Sequence, residues 1–123
     1  MTGSSSRSRL ALQGEKSYQW AKSRMKIIER IAKDFTGPKA LPLEGIRLGI
    51  CLHITKETSV LVMALKALGA ELALCSANPL SIQNDIVCFL KNQEIQLFAT
   101  RGESYRQYNE RMLKVIRFRP DIV

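Results

Sequence analysis

Residues 51 to 58 are Cys-Leu-His-Ile-Thr-Lys-Glu-Thr, and this segment decides the fold of the chain. It joins a short apolar run, Ile46 to Leu52, to an almost wholly apolar stretch, Val60 to Leu68. These lengths favour a buried strand followed by a helix. His53, the only histidine, therefore falls on a strand-to-helix turn. In an open α/β sheet, ligands bind at such turns, at the carboxyl ends of the strands.

The residues after His53 are also suited to starting a helix. Thr55 is placed as an N-cap, because its hydroxyl can accept a hydrogen bond from a free backbone N–H in the first turn. Glu57 lies in that turn, where the helix dipole favours a carboxylate. Gly69 is placed to end the helix. From the residues alone, the start of the helix therefore explains Thr55 and Glu57 better than ligand binding does.

The rest of the chain alternates between helical and extended patterns. The predicted order is helix 16–35, strand 46–52, helix 55–68, strand 71–75, helix 82–91, strand 95–99, helix 103–117 and the opening of a fourth strand at 120–123. The apolar stripe of the first helix comprises Ala21, Met25, Ile28, Ala32 and Phe35. Such alternation predicts a three-layer α/β fold, with a short parallel sheet of three to four strands and helices on both faces, as in Rossmann-like domains.

Length and charge narrow the classes of function. A chain of 123 residues suits one domain. No apolar run approaches about 18 residues, so no membrane span is expected. Residues 1–15 are rich in serine and arginine and predict a disordered basic tail rather than a secretory signal. The net charge of +8 is concentrated in the tail and in the first and last helices. Without a nucleic-acid recognition pattern, solvated helix faces explain this charge better than nucleic-acid binding does.

The three cysteines, Cys51, Cys75 and Cys88, are odd in number and widely spaced. This pattern fits neither a disulfide framework nor a zinc site. It is typical of small buried thiols in a reducing, cytoplasmic setting.

Two further patterns concern partners. The turn at His53 lacks the three glycines of a dinucleotide-binding fingerprint, so no NAD site is expected in this chain. The helix over Val60 to Leu68 is apolar nearly all round, and Lys66 is its only polar residue. Either the internal core covers this helix tightly, or another domain or subunit packs on it.

The segment 51–58 closely resembles the substrate-binding signature of S-adenosyl-L-homocysteine hydrolases. Similarity to this family extends over about residues 16 to 123. The other segments that carry the resemblance are Tyr18-Gln19-Trp20-Ala21 with Met25, Pro42-Leu43-Glu44-Gly45-Ile46, Leu68-Gly69-Ala70-Glu71, Ser76-Ala77-Asn78-Pro79-Leu80-Ser81 with Gln83, Arg101-Gly102-Glu103 with Tyr108, and Pro120-Asp121-Ile122.

The resemblance implies a reaction and roles for particular residues. The family hydrolyses S-adenosylhomocysteine to adenosine and homocysteine, and a tightly bound NAD oxidises the ribose. By motif match, His53 would be the acid/base group near the leaving position. Thr55 would bind the ribose side of the substrate, and Glu57 would accept from the adenine amino group. Asn78 would lie near the homocysteine end, and Gln83 would help a monovalent-cation site.

Several segments depart from the family pattern. They are Met25-Lys26 for Met-Pro, Ser81-Ile82-Gln83-Asn84 for Ser-Thr-Gln-Asp, Met63-Ala64 where a glutamate is common, Ile86-Val87-Cys88-Phe89 for an alanine-rich segment, and Phe98-Ala99-Thr100 for Tyr-Ala-Trp. In the family, carboxylates and a lysine handle the ribose hydroxyls, and a separate domain binds NAD. Neither these groups nor the NAD-binding domain is found in these residues.

We therefore expect an N-terminal, truncated part of an adenosylhomocysteinase-like substrate-binding domain that is inactive alone. It would bind adenosine or S-adenosylhomocysteine weakly at most. An alternative is a non-catalytic interaction module that binds itself, a complementing NAD-binding chain or a full-length hydrolase through the helix from Glu57 to Leu68. A weaker alternative is a basic nucleic-acid-binding protein.

Overall fold

The fold alternates helices and strands after an initial helical pair. A computed structural model describes residues 2–37 and 40–123. Its elements are α1 (Thr2–Arg24), α2 (Lys26–Phe35), β1 (Arg47–Leu52), α3 (Lys56–Ala67), β2 (Glu71–Ser76), α4 (Asn84–Lys91), β3 (Gln96–Phe98) and α5 (Tyr105–Arg117). No helix in these two ranges is long and apolar enough to cross a membrane. The predicted α/β architecture is confirmed, and the strands and later helices begin and end close to their predicted limits.

The sheet is parallel, with strand order β1-β2-β3. Alternate residues of β2 face opposite layers, as the pleat of a strand requires. Leu72 and Leu74 pack into a large core with α1, α3 and α4. Ala73 and Cys75 pack against α5. Helices therefore cover both faces of the sheet, as predicted.

The chain returns beside β1 after α5. Ile122 pairs with Leu48 in a parallel bridge, and its carbonyl accepts a hydrogen bond from Gly49 N–H at 2.8 Å. The segment predicted to open a fourth strand therefore lies where a fourth strand would extend the sheet. It lies on the far side of β1 from β2. Since the chain leaves β1 in one direction and returns on its other side, the strand order reverses at β1. The turn after β1, which carries His53, thus lies at a topological switch point, where open α/β sheets bind ligands.

The N-terminal segment differs from the expectation of a disordered tail. Met1 lies outside the described residues, but residues 2–15 form the first part of α1. The reason is tertiary packing. Gly14 is buried so closely against α4 that an added Cβ would collide with the carbonyl of Asp85. One turn later, the Tyr18 ring stacks on Phe89, with 5.0 Å between the ring centroids. This docking stabilises a Ser-rich sequence whose intrinsic helix propensity is modest.

The single helix predicted over 16–35 is instead two helices. Met25 leaves the helical conformation, with φ −99 and ψ 64, and α2 begins after it. The predicted apolar stripe is therefore only partly buried. Ala21 is buried, Met25 and Ile28 pack against the core, and Phe35 at the end of α2 is 60% exposed. The kink rotates α2, and no residue of that helix is fully buried.

The apolar helix α3 is covered mainly from within the chain. It contacts α1, α2, α4 and β2. Val60 and Val62 are buried, and Met63 and Leu65 are partly buried against the same core. Of the two interpretations that the sequence leaves open, an internal core accounts for this helix. Ser59 is also buried, and its hydroxyl donates to the Lys56 carbonyl at 2.5 Å.

Candidate functional site

The turn between β1 and α3 is held by hydrogen bonds to the first N–H groups of the helix. The Thr55 hydroxyl accepts from Thr58 N–H at 3.4 Å, so the predicted N-cap is confirmed. The side-chain carbonyl of Gln83 accepts from Lys56 N–H at 3.1 Å. Two of the N–H groups that this helix N-terminus could offer to an anion, those of Lys56 and Thr58, are therefore used within the protein.

This arrangement does not fit a dinucleotide. A pyrophosphate needs a glycine-rich turn and free N–H groups at the helix start. Here the turn from His53 to Glu57 contains no glycine and places a carboxylate where the phosphates would lie. The NAD that the family resemblance implies therefore finds no suitable cradle at this turn. What the turn can offer is hydroxyl, carboxylate and imidazole groups.

His53 is tied to the loop that follows β2. Its Nδ1 lies 2.5 Å from the hydroxyl of Ser81. That hydroxyl donates its single proton to the Asn78 carbonyl at 2.9 Å. With the Ser81 proton on the Asn78 carbonyl, the Ser81 oxygen accepts from His53, and in this arrangement Nδ1 carries the proton of the neutral imidazole. The other ring nitrogen, Nε2, is left as the basic atom, and the His53 side chain is exposed.

The loop from Ser76 to Ser81 is itself well fixed. The buried Ser76 hydroxyl donates to the Asn78 carbonyl at 2.7 Å and accepts from Asn78 N–H at 3.1 Å. The Asn78 side-chain oxygen accepts from Leu80 N–H at 2.8 Å. From α5, the Tyr108 hydroxyl donates to the Ala77 carbonyl at 3.2 Å. The loop can thus hold Ser81, and through it the imidazole, in a defined position.

Gln83 links this loop back to the turn at His53. Its backbone N–H donates to the Ile54 carbonyl at 2.9 Å, while its side chain receives Lys56 N–H. The side-chain oxygen predicted to help hold a monovalent cation is therefore committed to the backbone of α3, and in this geometry it acts as a positioning group. Among the described residues, no three His, Cys, Asp or Glu side chains cluster to hold a metal ion.

Glu57 stands at the outer edge of the turn. Its own backbone N–H lowers the pKa of Glu57 below the ordinary value, and Lys56 and Thr55 add to this effect. The carboxyl group is therefore ionised at neutral pH and can only accept hydrogen bonds. The Lys56 ammonium lies 3.6 Å from the Glu57 carboxylate and 5.4 Å from the centre of the Trp20 ring, which is itself half exposed.

The structure brings three of the five predicted site residues into a hydrogen-bonded framework between the turn after β1 and the loop after β2. His53 and Asn78 meet through Ser81, and Gln83 contacts the backbone beside Thr55. Glu57 lies next to this framework, on the solvent side. Sequence reasoning missed Ser81 as a site residue, although its place in the motif 76–81 offered a signal. It could not have found the Tyr108 contact, because that residue lies 31 positions from Ala77.

The site forms one open wall. His53, Glu57, Asn78 and Gln83 are all exposed at the carboxyl edge of the sheet. A cleft of about 290 Å³ lies elsewhere, between α1, α2 and α3, and is lined by Tyr18, Ile28, Val60 and Met63 among others. The wall is therefore a different surface from that cleft.

Known proteins with similar sequences point to one family. Residues 7–123 match the family model described as S-adenosyl-L-homocysteine hydrolase. The chain is 43% identical over 114 residues to an adenosylhomocysteinase of Sulfolobus acidocaldarius, covering 93% of this chain and 27% of that protein. It is 38% identical over 111 residues to an S-inosyl-L-homocysteine hydrolase of Methanocaldococcus jannaschii, covering 90% of this chain and 26% of that protein. The chain thus spans about a quarter of the length of these relatives, and it belongs to the S-adenosyl-L-homocysteine hydrolase family.

Proposed function

We propose that residues 16–123 form the nucleoside-binding wall of a hydrolase that splits a nucleosyl-homocysteine thioether into nucleoside and homocysteine. One observation carries this proposal. The hydrogen-bonded framework of His53, Asn78, Ser81 and Gln83 lies at the switch point of the sheet, where open α/β folds bind ligands.

In this proposal His53 moves a proton at the sulfur end of the substrate. The contact with Ser81 keeps the proton on Nδ1, so Nε2 is the atom that can take up or release a proton. An imidazole held in one tautomer by a second group is the usual arrangement of a general base. Thr55 and Asn78 would orient the ribose and the amino-acid end.

Glu57 would select the base. Its lowered pKa keeps it a carboxylate, which can only accept a hydrogen bond. The exocyclic amino group of adenine donates, whereas the carbonyl at the same position of hypoxanthine accepts and would face the carboxylate unfavourably. We therefore favour an adenosyl substrate over the inosyl substrate that the name of the Methanocaldococcus jannaschii relative implies.

The 123-residue chain by itself would be inactive. A competent small-molecule site buries most of its ligand in a concave pocket. Here three of the side chains that would contact the substrate, those of His53, Glu57 and Asn78, are exposed on one wall. The turn after β1 also does not fit the NAD that the family's reaction requires. Catalysis would need a second wall with a cofactor site, in the same or another polypeptide.

A chimeric enzyme tests this proposal. Residues 16–123 would replace the matching segment of the Sulfolobus acidocaldarius adenosylhomocysteinase, and hydrolysis of S-adenosylhomocysteine would be measured. We expect turnover by the chimera, a loss of kcat of at least about 100-fold in its His53→Gln variant, and none by the isolated chain. The Glu44→Gln variant is the matched control, because Glu44 lies before β1, at the opposite edge of the sheet. A folded, NAD-loaded chimera that is inactive, or one indifferent to His53→Gln, would contradict the proposal.

A second candidate is an interaction module, for which α2 offers more exposed apolar surface than the helix from Glu57 to Leu68. Val62 on α3 is fully buried and so cannot contact a partner. Three exposed apolar residues lie together on α2, where Ile27, Ile31 and Phe35 are 75%, 44% and 60% exposed. We therefore place self-association on α2.

A further inference from the structure

Two of the three cysteines are direct neighbours across the sheet. Cys51 on β1 and Cys75 on β2 are register partners in the parallel pair, so their side chains point to the same face. Opposed Cα atoms on neighbouring strands lie about 4.8 Å apart. Disulfides join residues whose Cα atoms are about 4.4–6.8 Å apart. The pair therefore has the spacing that a disulfide needs, although the sequence separation of the cysteines gave no hint of it.

The two thiols differ in their access to solvent. Cys51 is exposed, and its thiol contacts the Ser76 carbonyl at 3.7 Å. Cys75 is only 2% exposed and packs on Val115 and Phe118. Burial raises the pKa of the Cys75 thiol to about 12, with the neighbouring Cys51 and Glu103 adding to the rise. An oxidant in solution therefore reacts with Cys51 first, and the neighbouring Cys75 remains a protonated thiol.

Cys88 is separate from this pair. It lies on α4, which packs on the opposite face of the sheet from α5. Reaching Cys51 or Cys75 would require the sheet to open. The fold therefore isolates one thiol and pairs the other two.

We propose that Cys51 and Cys75 are a redox-modification site that peroxide closes to an intramolecular disulfide. Hydrogen peroxide oxidises the exposed Cys51 thiolate, breaking the O–O bond, and leaves a sulfenic acid on Cys51 and a hydroxide that takes up a proton. The Cys75 sulfur then attacks the Cys51 sulfur and loses its proton, and the hydroxyl group leaves as water. Two thiols and one peroxide give one disulfide and two waters. A dithiol reductant reverses the bond by thiol–disulfide exchange.

A disulfide between Cys51 and Cys75 would lie close to His53 and to the loop that holds it. Cys51 lies two residues before His53, and Cys75 directly precedes Ser76, which fixes the loop carrying Ser81. The disulfide would cross-link β1 and β2 at their carboxyl ends. The turn that carries His53 and the loop that carries Ser81 both begin there. Oxidation would therefore change the surroundings of His53, whichever reaction this residue serves.

Thiol counting on the whole chain tests the proposal. After peroxide treatment and denaturation, we expect the free thiols to fall from three to one. Peptide mapping should join the peptides of Cys51 and Cys75 in a monomeric chain, and dithiothreitol should restore three thiols. The Cys88→Ser variant, the matched control, should still form the bond and lose both remaining thiols.

Two variants separate the steps. Cys75→Ala should stop the disulfide and leave a sulfenic acid on Cys51 that dimedone traps, whereas Cys51→Ser should give neither product at the pair. The peptide map of the unmodified sequence keeps the test valid if Cys75→Ala fails to fold. Three surviving thiols, a bond that includes Cys88, or a bond only between chains would overturn the proposal.

Discussion

The Nδ1 atom of His53 lies 2.5 Å from the hydroxyl oxygen of Ser81, across 28 residues of sequence. With the Ser81 proton donated to the Asn78 carbonyl, this contact predicts that Nδ1 carries the proton of the neutral imidazole. The relationship joins the turn after β1 to the loop after β2, and the first prediction tests it directly.

Ser81→Ala removes the acceptor that holds the proton on Nδ1. In the unmodified chain, ¹⁵N spectra at neutral to mildly alkaline pH should show His53 protonated at Nδ1 with Nε2 bare. The variant should shift toward a mixture of tautomers, because a neutral hydrogen bond contributes only about 1 kcal/mol. Ser8→Ala, at an exposed position of α1, is the control and should leave the spectrum unchanged. A dominant Nε2–H tautomer before mutation would refute the assignment.

Adenosine should bind the isolated chain with a dissociation constant of about 1 mM or weaker. A millimolar constant already requires about 4 kcal/mol of net binding free energy, and each exposed hydrogen bond contributes about 1 kcal/mol. Amide chemical-shift changes should centre on residues 53–58 and disappear in Glu57→Gln, with Glu44→Gln as control. Inosine should give smaller changes. Micromolar affinity, or changes centred elsewhere, would show that another surface binds the nucleoside.

Stability should fall at alkaline pH because of Cys75. Burial raises the pKa of this thiol from 9.0 to about 12 in the folded chain. Between these values the unfolded chain loses the proton while the folded chain keeps it. The stabilising contribution is therefore complete below pH 9 and declines as pH rises, by at most about 1.4 kcal/mol per pH unit. Under reducing conditions, Cys75→Ala should show a flatter decline of unfolding free energy above pH 9 than Cys88→Ala. Equal slopes would count against a buried, protonated thiol.

Gly14→Ala should loosen the N-terminal helix. The added methyl group would collide with the Asp85 carbonyl of α4, whereas a Cβ at Gly37 meets nothing within 4 Å. Overpacking of this kind costs about 1–3 kcal/mol. We expect a lower unfolding free energy and faster tryptic cleavage at Arg7 and Arg9 for Gly14→Ala. Gly37→Ala should behave like the unmodified chain, and indistinguishable variants would mean that α1 does not dock as described.

If the chain self-associates, Ile27→Glu should weaken the association. Ile27 is the most exposed of the three apolar residues of α2, so a charge there should not disturb the core. Lys26→Glu changes the neighbouring exposed residue and serves as the control. Sedimentation velocity at high concentration should show fewer dimers for Ile27→Glu alone. A monomeric unmodified chain, or equal effects of both variants, would exclude α2 as the contact.

The local pattern of the sequence predicted most of the elements and the place of the site. The apolar runs around residues 51–58, the N-cap at Thr55 and the glycine at position 69 are local signals, and they set the bounds of β1 and α3. Gly69 adopts a φ of +102, as the end of a helix at glycine requires. Alternation of strands and helices then implied the parallel sheet, and a parallel sheet placed His53 at its binding edge.

Two predictions from the sequence were wrong, and both concern the N-terminal helices. The Ser/Arg-rich segment 2–15 has little helical pattern, but the close fit of Gly14 on α4 makes it part of α1. The stripe ending at Phe35 looked buried, but the kink at Met25 turns α2 outward. Hydrophobic periodicity cannot predict the docking of Gly14, because it depends on α4, which is far away in the chain. Nor does periodicity register that one residue, Met25, leaves the helical conformation.

The sequence by itself therefore determined which residue types stand at the carboxyl edge of the sheet. Tertiary structure decided what those residues can do. It bound His53 to Ser81, turned Gln83 toward Lys56, and set Cys51 opposite Cys75. The physical reason is that strand pairing and crossover helices bring together residues that are 24 to 28 positions apart, and no local pattern encodes such distances.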